Sequence, residues 1–219
     1  MPAPPHASSP ARPASAAPSP GVGTARGTTN GSEFQLALYY QRSGEFEQAL
    51  IHYSTVLKRD ELNVDAHNNV GILYHDKGLY EDAAREFRRV LAINPSYVTA
   101  RLNLSAVYLK LGRPDAAAAE ARAVLATDPR HSDALVNLAL AQDAAGQGPE
   151  AQLTLRRALE IAPHSAAAHY NLAQMYERTG ELALAAEHYR QFLQFAGPAQ
   201  AGYIADVRAR LQAATRGTK

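Results

Sequence analysis

The sequence has no cysteine, no tryptophan and only five phenylalanines among its 219 residues. Without cysteine there is no disulfide, no thiol nucleophile and no thiolate metal ligand. With so few large rings, the core has to be built from small and aliphatic side chains packed along helices, which argues against an all-β architecture. Charge of one sign is also missing. Basic side chains number 22 and acidic ones 21, a formal net charge of +1, too little for binding nucleic acid by phosphate attraction. No apolar run nears the roughly 18 residues of a membrane span, and the N-terminus has no apolar signal core. These absences predict a soluble, cytoplasmic protein that inserts into no membrane. A membrane-tethered or periplasmic setting would require an upstream anchor.

Residues 1–31 read MPAPPHASSPARPASAAPSPGVGTARGTTNG, crowded with Pro, Ala, Ser and Gly and free of acidic residues. Such a segment cannot bury enough apolar surface to offset its chain entropy, and it is expected to be a disordered tail or spacer. Gly21, Gly23 and Gly27 have the spacing G-x-G-x-x-x-G with neither strand nor helix pattern beside them, so a phosphate-binding loop is rejected.

Beyond Ser32 a period dominates. Gly44, Gly78, Gly112, Gly146 and Gly180 recur every 34 residues, and Ala49, Ala83, Ala117, Ala151 and Ala185 follow each by five. Leu36, Val70, Leu104, Leu138 and Leu172 keep the same period, as do Tyr40, Tyr74, Tyr108 and Tyr176, with Gln142 as the one lapse. Pro95, Pro129 and Pro163 close successive units. A Leu and a Tyr four apart line one face of a helix, and a small residue after the Leu lets a second helix come close. Glycine at the turn supplies the left-handed backbone that ends a helix without steric cost, and proline stops the second helix of the pair.

In its 34-residue period and in the stretches VGILY, LSAVY and NLAQMY, followed by AAREF and AAEHY, the chain resembles the tetratricopeptide-repeat family. The resemblance implies an all-α, right-handed superhelical solenoid of helix-turn-helix units spanning 30–63, 64–97, 98–131, 132–165 and 166–199. Tyr203, Ile204, Val207 and Leu211 then recur at helical spacing, which predicts a capping helix over 200–214. Ser32 with Gln35 forms a capping-box pattern, so the first helix is expected to begin there. The chain departs from the family in lacking its Trp: Glu33, His67, Arg101, Leu135 and His169 stand in that slot. In the fourth unit, Gln142 in place of Tyr and a Gly148–Pro149 pair expected inside the turn predict the weakest seam.

A second ladder suggests function. Asn69, Asn103, Asn137 and Asn171 repeat at one register, each just before a core Leu or Val. Asn is a mediocre helix former, and its carboxamide can pair with both the N–H and the C=O of an extended peptide. The resemblance implies the same use, since some members, the superhelical arm of O-linked N-acetylglucosamine transferase among them, hold peptide backbones with such a ladder. Bonding between adjacent units is the structural alternative. Asn68, His75, Lys110, Tyr170, Gln174 and Arg178 are expected beside the ladder in a concave peptide-binding groove. Asn68, Thr99 and Asn103 occupy the slots where the family's carboxylate clamp carries Lys and Arg, so a chaperone-tail partner is disfavoured. Arg88, Arg122, Arg156 and Arg190 read as a solvated outer face. Eight histidines without paired ligand spacing give no metal site, and an open groove gives a catalytic constellation no shelter.

The expected protein is a non-catalytic scaffold without cofactor that binds a protein or an extended peptide. Two alternatives are a substrate-recognition arm related to the glycosyltransferase but lacking its catalytic domain, and a self-associating cell-envelope or pilus-type assembly factor.

Overall fold

The computed structural model describes residues 29–216, and the expected tail, apart from its last three residues, lies outside them. Among the described residues there are eleven α-helices, one 3-10 turn and no strand. Residues 29–107 form one compact unit and residues 108–216 another. The first contains α1 (Thr29–Ser43), α2 (Phe46–Arg59), α3 (Val64–Asp76), α4 (Tyr80–Ile93) and most of α5 (Val98–Lys110). The second contains the end of α5, then α6 (Pro114–Thr127), α7 (Ser132–Ala144), α8 (Gly148–Ile161), α9 (Ala166–Thr179), α10 (Leu182–Phe195), the 3-10 turn Pro198–Gln200, and α11 (Ala201–Arg216).

The turns follow from the glycine period. All five periodic glycines have φ between 67° and 81°, and no other described residue has positive φ. At Gly78 this reversal lets the Leu79 N–H reach the Tyr74 carbonyl at 2.9 Å, and at Gly180 the Glu181 N–H reaches Tyr176 at 2.8 Å. The left-handed residue thus satisfies a carbonyl at the helix end while turning the chain back.

Two sequence expectations are corrected at helix starts. The first helix begins at Thr29, three residues before the capping-box pattern at Ser32. Gly148 and Pro149 do not interrupt a turn: they form the first turn of α8. Proline is tolerated there because the N–H it lacks would have no partner within the helix. Also in the fourth unit, the Gln142 side-chain carbonyl is enclosed and has no hydrogen-bond partner.

In the first unit the core gathers Ala37, Ala49, Tyr53, Val56, Ala66, Val70 and Leu73 from α1, α2 and α3. In the second, Leu135, Leu155, Tyr170, Leu172, Tyr189, Phe192 and Val207 pack together, with Tyr203, Ile204 and Leu211 of α11 against them. Small residues set the helix spacing. Gly71 lies so close to α4 that a β-carbon built on it would sit 2.7 Å from the Phe87 ring.

Candidate functional site

The candidate residues sit mainly on the first helix of each hairpin, and burial separates them. In the unit of residues 29–107, Asn68 and Asn103 are buried on α3 and α5, and Asn69 and His75 are half-buried on α3. Asn69 is tied to the preceding hairpin. Burial pushes the Tyr53 phenol far up, while a hydrogen bond from Asn69 and the charge of Arg42 oppose it. Tyr53 itself donates to Gln41 at 2.7 Å. His75 lies 3.2 Å from the Asp76 carboxylate. Among the enclosed polar atoms of this unit without a hydrogen-bond partner are the Asn68 Oδ1 acceptor, the His75 Nε2 and the Asn103 Nδ2 donor.

In the unit of residues 108–216, Asn137 and Asn171 are buried on α7 and α9, and the Asn171 amide donates to the Ala167 carbonyl at 2.8 Å. The Tyr170 ring is wholly enclosed, 5.3 Å from both Phe192 and Tyr203, so its observed role is packing. Burial raises its phenol to about 12, and its oxygen accepts from Gln174 at 3.0 Å. Arg178 is exposed and pairs with Asp143 of α7 at 2.5 Å, linking two first helices of adjacent hairpins. Lys110 is half-buried, and burial holds its ammonium below the usual range. The periodic arginines Arg88, Arg122, Arg156 and Arg190 are all exposed.

Sequence reasoning missed a second constellation, at the slot where the family has Trp. In three units the residue there bonds a partner 19 positions later on the second helix. Glu33 meets His52 at 2.7 Å, His67 meets Glu86 at 2.6 Å, and His169 meets His188 at 2.9 Å. The same slot also serves a backbone carbonyl six residues earlier. His67 donates to Glu61 at 3.0 Å, Arg101 to Pro95 at 2.9 Å, and His169 to Pro163 at 3.0 Å. Leu135 has no N–H to offer, and Arg157 donates to the Pro129 carbonyl instead, at 2.9 Å. At His67, Arg101 and His169 the slot thus carries a long side chain bearing a donor. The signal was present in the sequence, because the pairs Glu33–His52 and His67–Glu86 are acid–base matches at one fixed spacing.

No group of three or more candidate metal ligands occurs among the described residues. No described helix is long and apolar enough to cross a membrane.

No curated protein sequence matches the chain. Solved structures do. MamA from Desulfovibrio magneticus is 24% identical with a TM-score of 0.66, covering 78% of this chain and 97% of its own. A thermophilic TPR protein of Thermus thermophilus is 20% identical with a TM-score of 0.69, covering 85% and 98%. PilW, described as a type IV pilus biogenesis factor, is 26% identical with a TM-score of 0.69, covering 85% and 89%. Tetratricopeptide-repeat profiles match residues 34–98, 102–166 and 138–201, and a second profile matches 74–129. With helical hairpins turning on periodic left-handed glycines and repeat profiles spanning most of its length, the chain belongs to the tetratricopeptide-repeat family.

Proposed function

We propose that the protein is a non-catalytic scaffold that binds an extended polypeptide along the first helices of its hairpins, through the amides of Asn69, Asn103, Asn137 and Asn171 and their neighbours. The observation that supports this reading is that Asn68 Oδ1 and Asn103 Nδ2 have no hydrogen-bond partner within the protein; both are enclosed in the free chain, so a peptide would reach them by displacing the side chains that cover them. A buried polar group without a partner costs about 1–3 kcal/mol. One acceptor and one donor are what the N–H and C=O of a peptide backbone would satisfy.

A peptide selected by display on the full chain provides the test. Asn68→Ala with Asn103→Ala should weaken that peptide about fivefold or more, since each lost hydrogen bond is worth roughly 0.5–1.5 kcal/mol. The same double variant should melt at or above the wild-type temperature, because alanine removes two unsatisfied groups and favours helix. Unchanged affinity in calorimetric titration would move the binding site elsewhere.

The likeness to PilW supports a second reading, a scaffold that serves assembly of a surface filament. Sedimentation at rising concentration, with and without filament subunits, separates a binder of subunits from a protein that associates with itself.

A further inference from the structure

The third 19-residue pair differs in kind from the other two. His169 is buried, and its Nε2 faces the Pro163 carbonyl at 3.0 Å, which accepts only, so the proton of neutral His169 is on Nε2. Its Nδ1 is then a bare lone pair, and 2.9 Å away lies the Nδ1 of His188. A hydrogen bond at that distance requires one proton between the two nitrogens, supplied by His188. The His188 ring stacks on Tyr176, with centroids 5.6 Å apart and planes 16° apart, and His169 lies 6.0 Å from the Phe195 ring. Both imidazoles are thus held in one tautomeric arrangement by α9, α10 and the loop before α9.

We propose that the α9–α10 hairpin is an acid-sensitive joint, in which protonation of the His169–His188 pair below about pH 6 parts the two rings and loosens the hairpin. One added proton can go to His188 Nε2, leaving the ring-to-ring bond intact but placing a charge in a half-buried site. A second must go to His169 Nδ1, and two N–H groups carrying like charge then point at each other across 2.9 Å.

The surrounding charges favour the uncharged pair. Burial is the main force holding His169 and His188 below the ordinary imidazole value, His188 at about 4. His164, whose ring lies 4.4 Å from Phe195, opposes a charge on His169, while His169 itself and Arg156 of α8 oppose one on His188. Glu187 of α10 favours charge on both rings, but it is exposed and shared with Arg190 at 3.4 Å and Gln191 at 3.2 Å. The sign follows: with folded values below the unfolded one near 6.5, the hairpin is fully held above about pH 6.5 and loses support as pH falls towards 4.

Hydrogen exchange on the full chain at pH 7.5 and 5.0, corrected for intrinsic rates, tests this. Exchange in α9 and α10 should rise about tenfold on acidification while α3 and α4 change less than twofold, a fold-change set by preferential proton binding to the open state. His188→Glu, which copies the His67–Glu86 arrangement, should remove that rise. An equal rise in both hairpins, no rise in either, or a rise that persists in His188→Glu would overturn the proposal. If that variant does not fold, NMR titration of the wild-type rings decides. Ring titration below pH 6 coupled to loss of α9–α10 protection supports the joint; rings that titrate near pH 6.5 while the hairpin stays protected refute it.

Discussion

The hairpins α3–α4 and α9–α10 are built on one plan and solve one problem with opposite electrostatics. In both, a histidine at the family's Trp slot donates Nε2–H to a carbonyl six residues back and turns Nδ1 towards the second helix. In the first it finds the Glu86 carboxylate, itself held by Arg89 at 2.8 Å, with His67 and Glu86 side chains only 8% and 9% exposed. Both nitrogens of His67 therefore face acceptors, an arrangement that accommodates a proton on each. In the second, Nδ1 faces another imidazole, and only one proton fits between them. Two hairpins that both turn on a left-handed glycine, Gly78 and Gly180, are thus expected to respond to acid in different ways, and the difference lies in one side chain on the second helix.

The strongest way to break this comparison is to remove the carboxylate. Glu86→Ala strands a buried imidazole nitrogen and should cost about 2 kcal/mol, read from denaturant unfolding at pH 7. A loss below about 0.5 kcal/mol, the usual surface range, would mean that the pair contributes nothing to the hairpin.

The reciprocal exchange sharpens the comparison. Glu86→His should make α3–α4 behave like α9–α10, so that the variant loses about 1 kcal/mol more than wild type between pH 7.5 and 5.0, a figure reduced for the partial solvent screening of such rings. Thermal melts at the two pH values measure it, and an unchanged pH dependence would show that the partner of the histidine does not govern the response.

Packing offers a smaller contrast. At the close-approach slot, α3 carries Gly71 where α9 carries Ala173, and Gly71 faces Phe87. Gly71→Ala gains helix propensity but pushes on a buried ring, and the net loss should be about 1 kcal/mol. In a Phe87→Leu background, the same change should be neutral or stabilising, and chemical denaturation of the two pairs tests whether the ring sets the sign. Smallest is the effect at Gln142, which stands where the two compared hairpins have Tyr74 and Tyr176. Gln142→Leu removes the enclosed, unpartnered carbonyl and should raise the melting temperature by about 2 °C, measured by calorimetry.

The backbone was largely legible in the sequence because a 34-residue period constrains every unit at once. Glycines at one register meant a repeated left-handed turn, and the small residue after each periodic Leu meant close helix approach. Gly148–Pro149 was misread because composition does not separate a turn interior from the first turn of a helix, where proline costs little. The polar slot was missed for another reason. Its meaning depends on which residue lies across the hairpin, 19 positions away, and that spacing comes from two helix lengths and a turn rather than from any local pattern. The Asn ladder is intermediate: its register was visible, but the enclosure of Asn103, Asn137 and Asn171 arises from neighbouring helices that a single-helix reading does not include.

The carbonyls of Glu61, Pro95, Pro129 and Pro163 form a set of fixed acceptors with interchangeable donors. Imidazole, guanidinium from the first helix and guanidinium from the second all meet the same demand. A repeat whose backbone asks only for a donor leaves its lineage a neutral path, because the donor can move from one helix to the other before the original residue is lost. Copies that began alike can in this way acquire different chemistry at one position, acid-tolerant in one and acid-responsive in another, without passing through an unfolded ancestor.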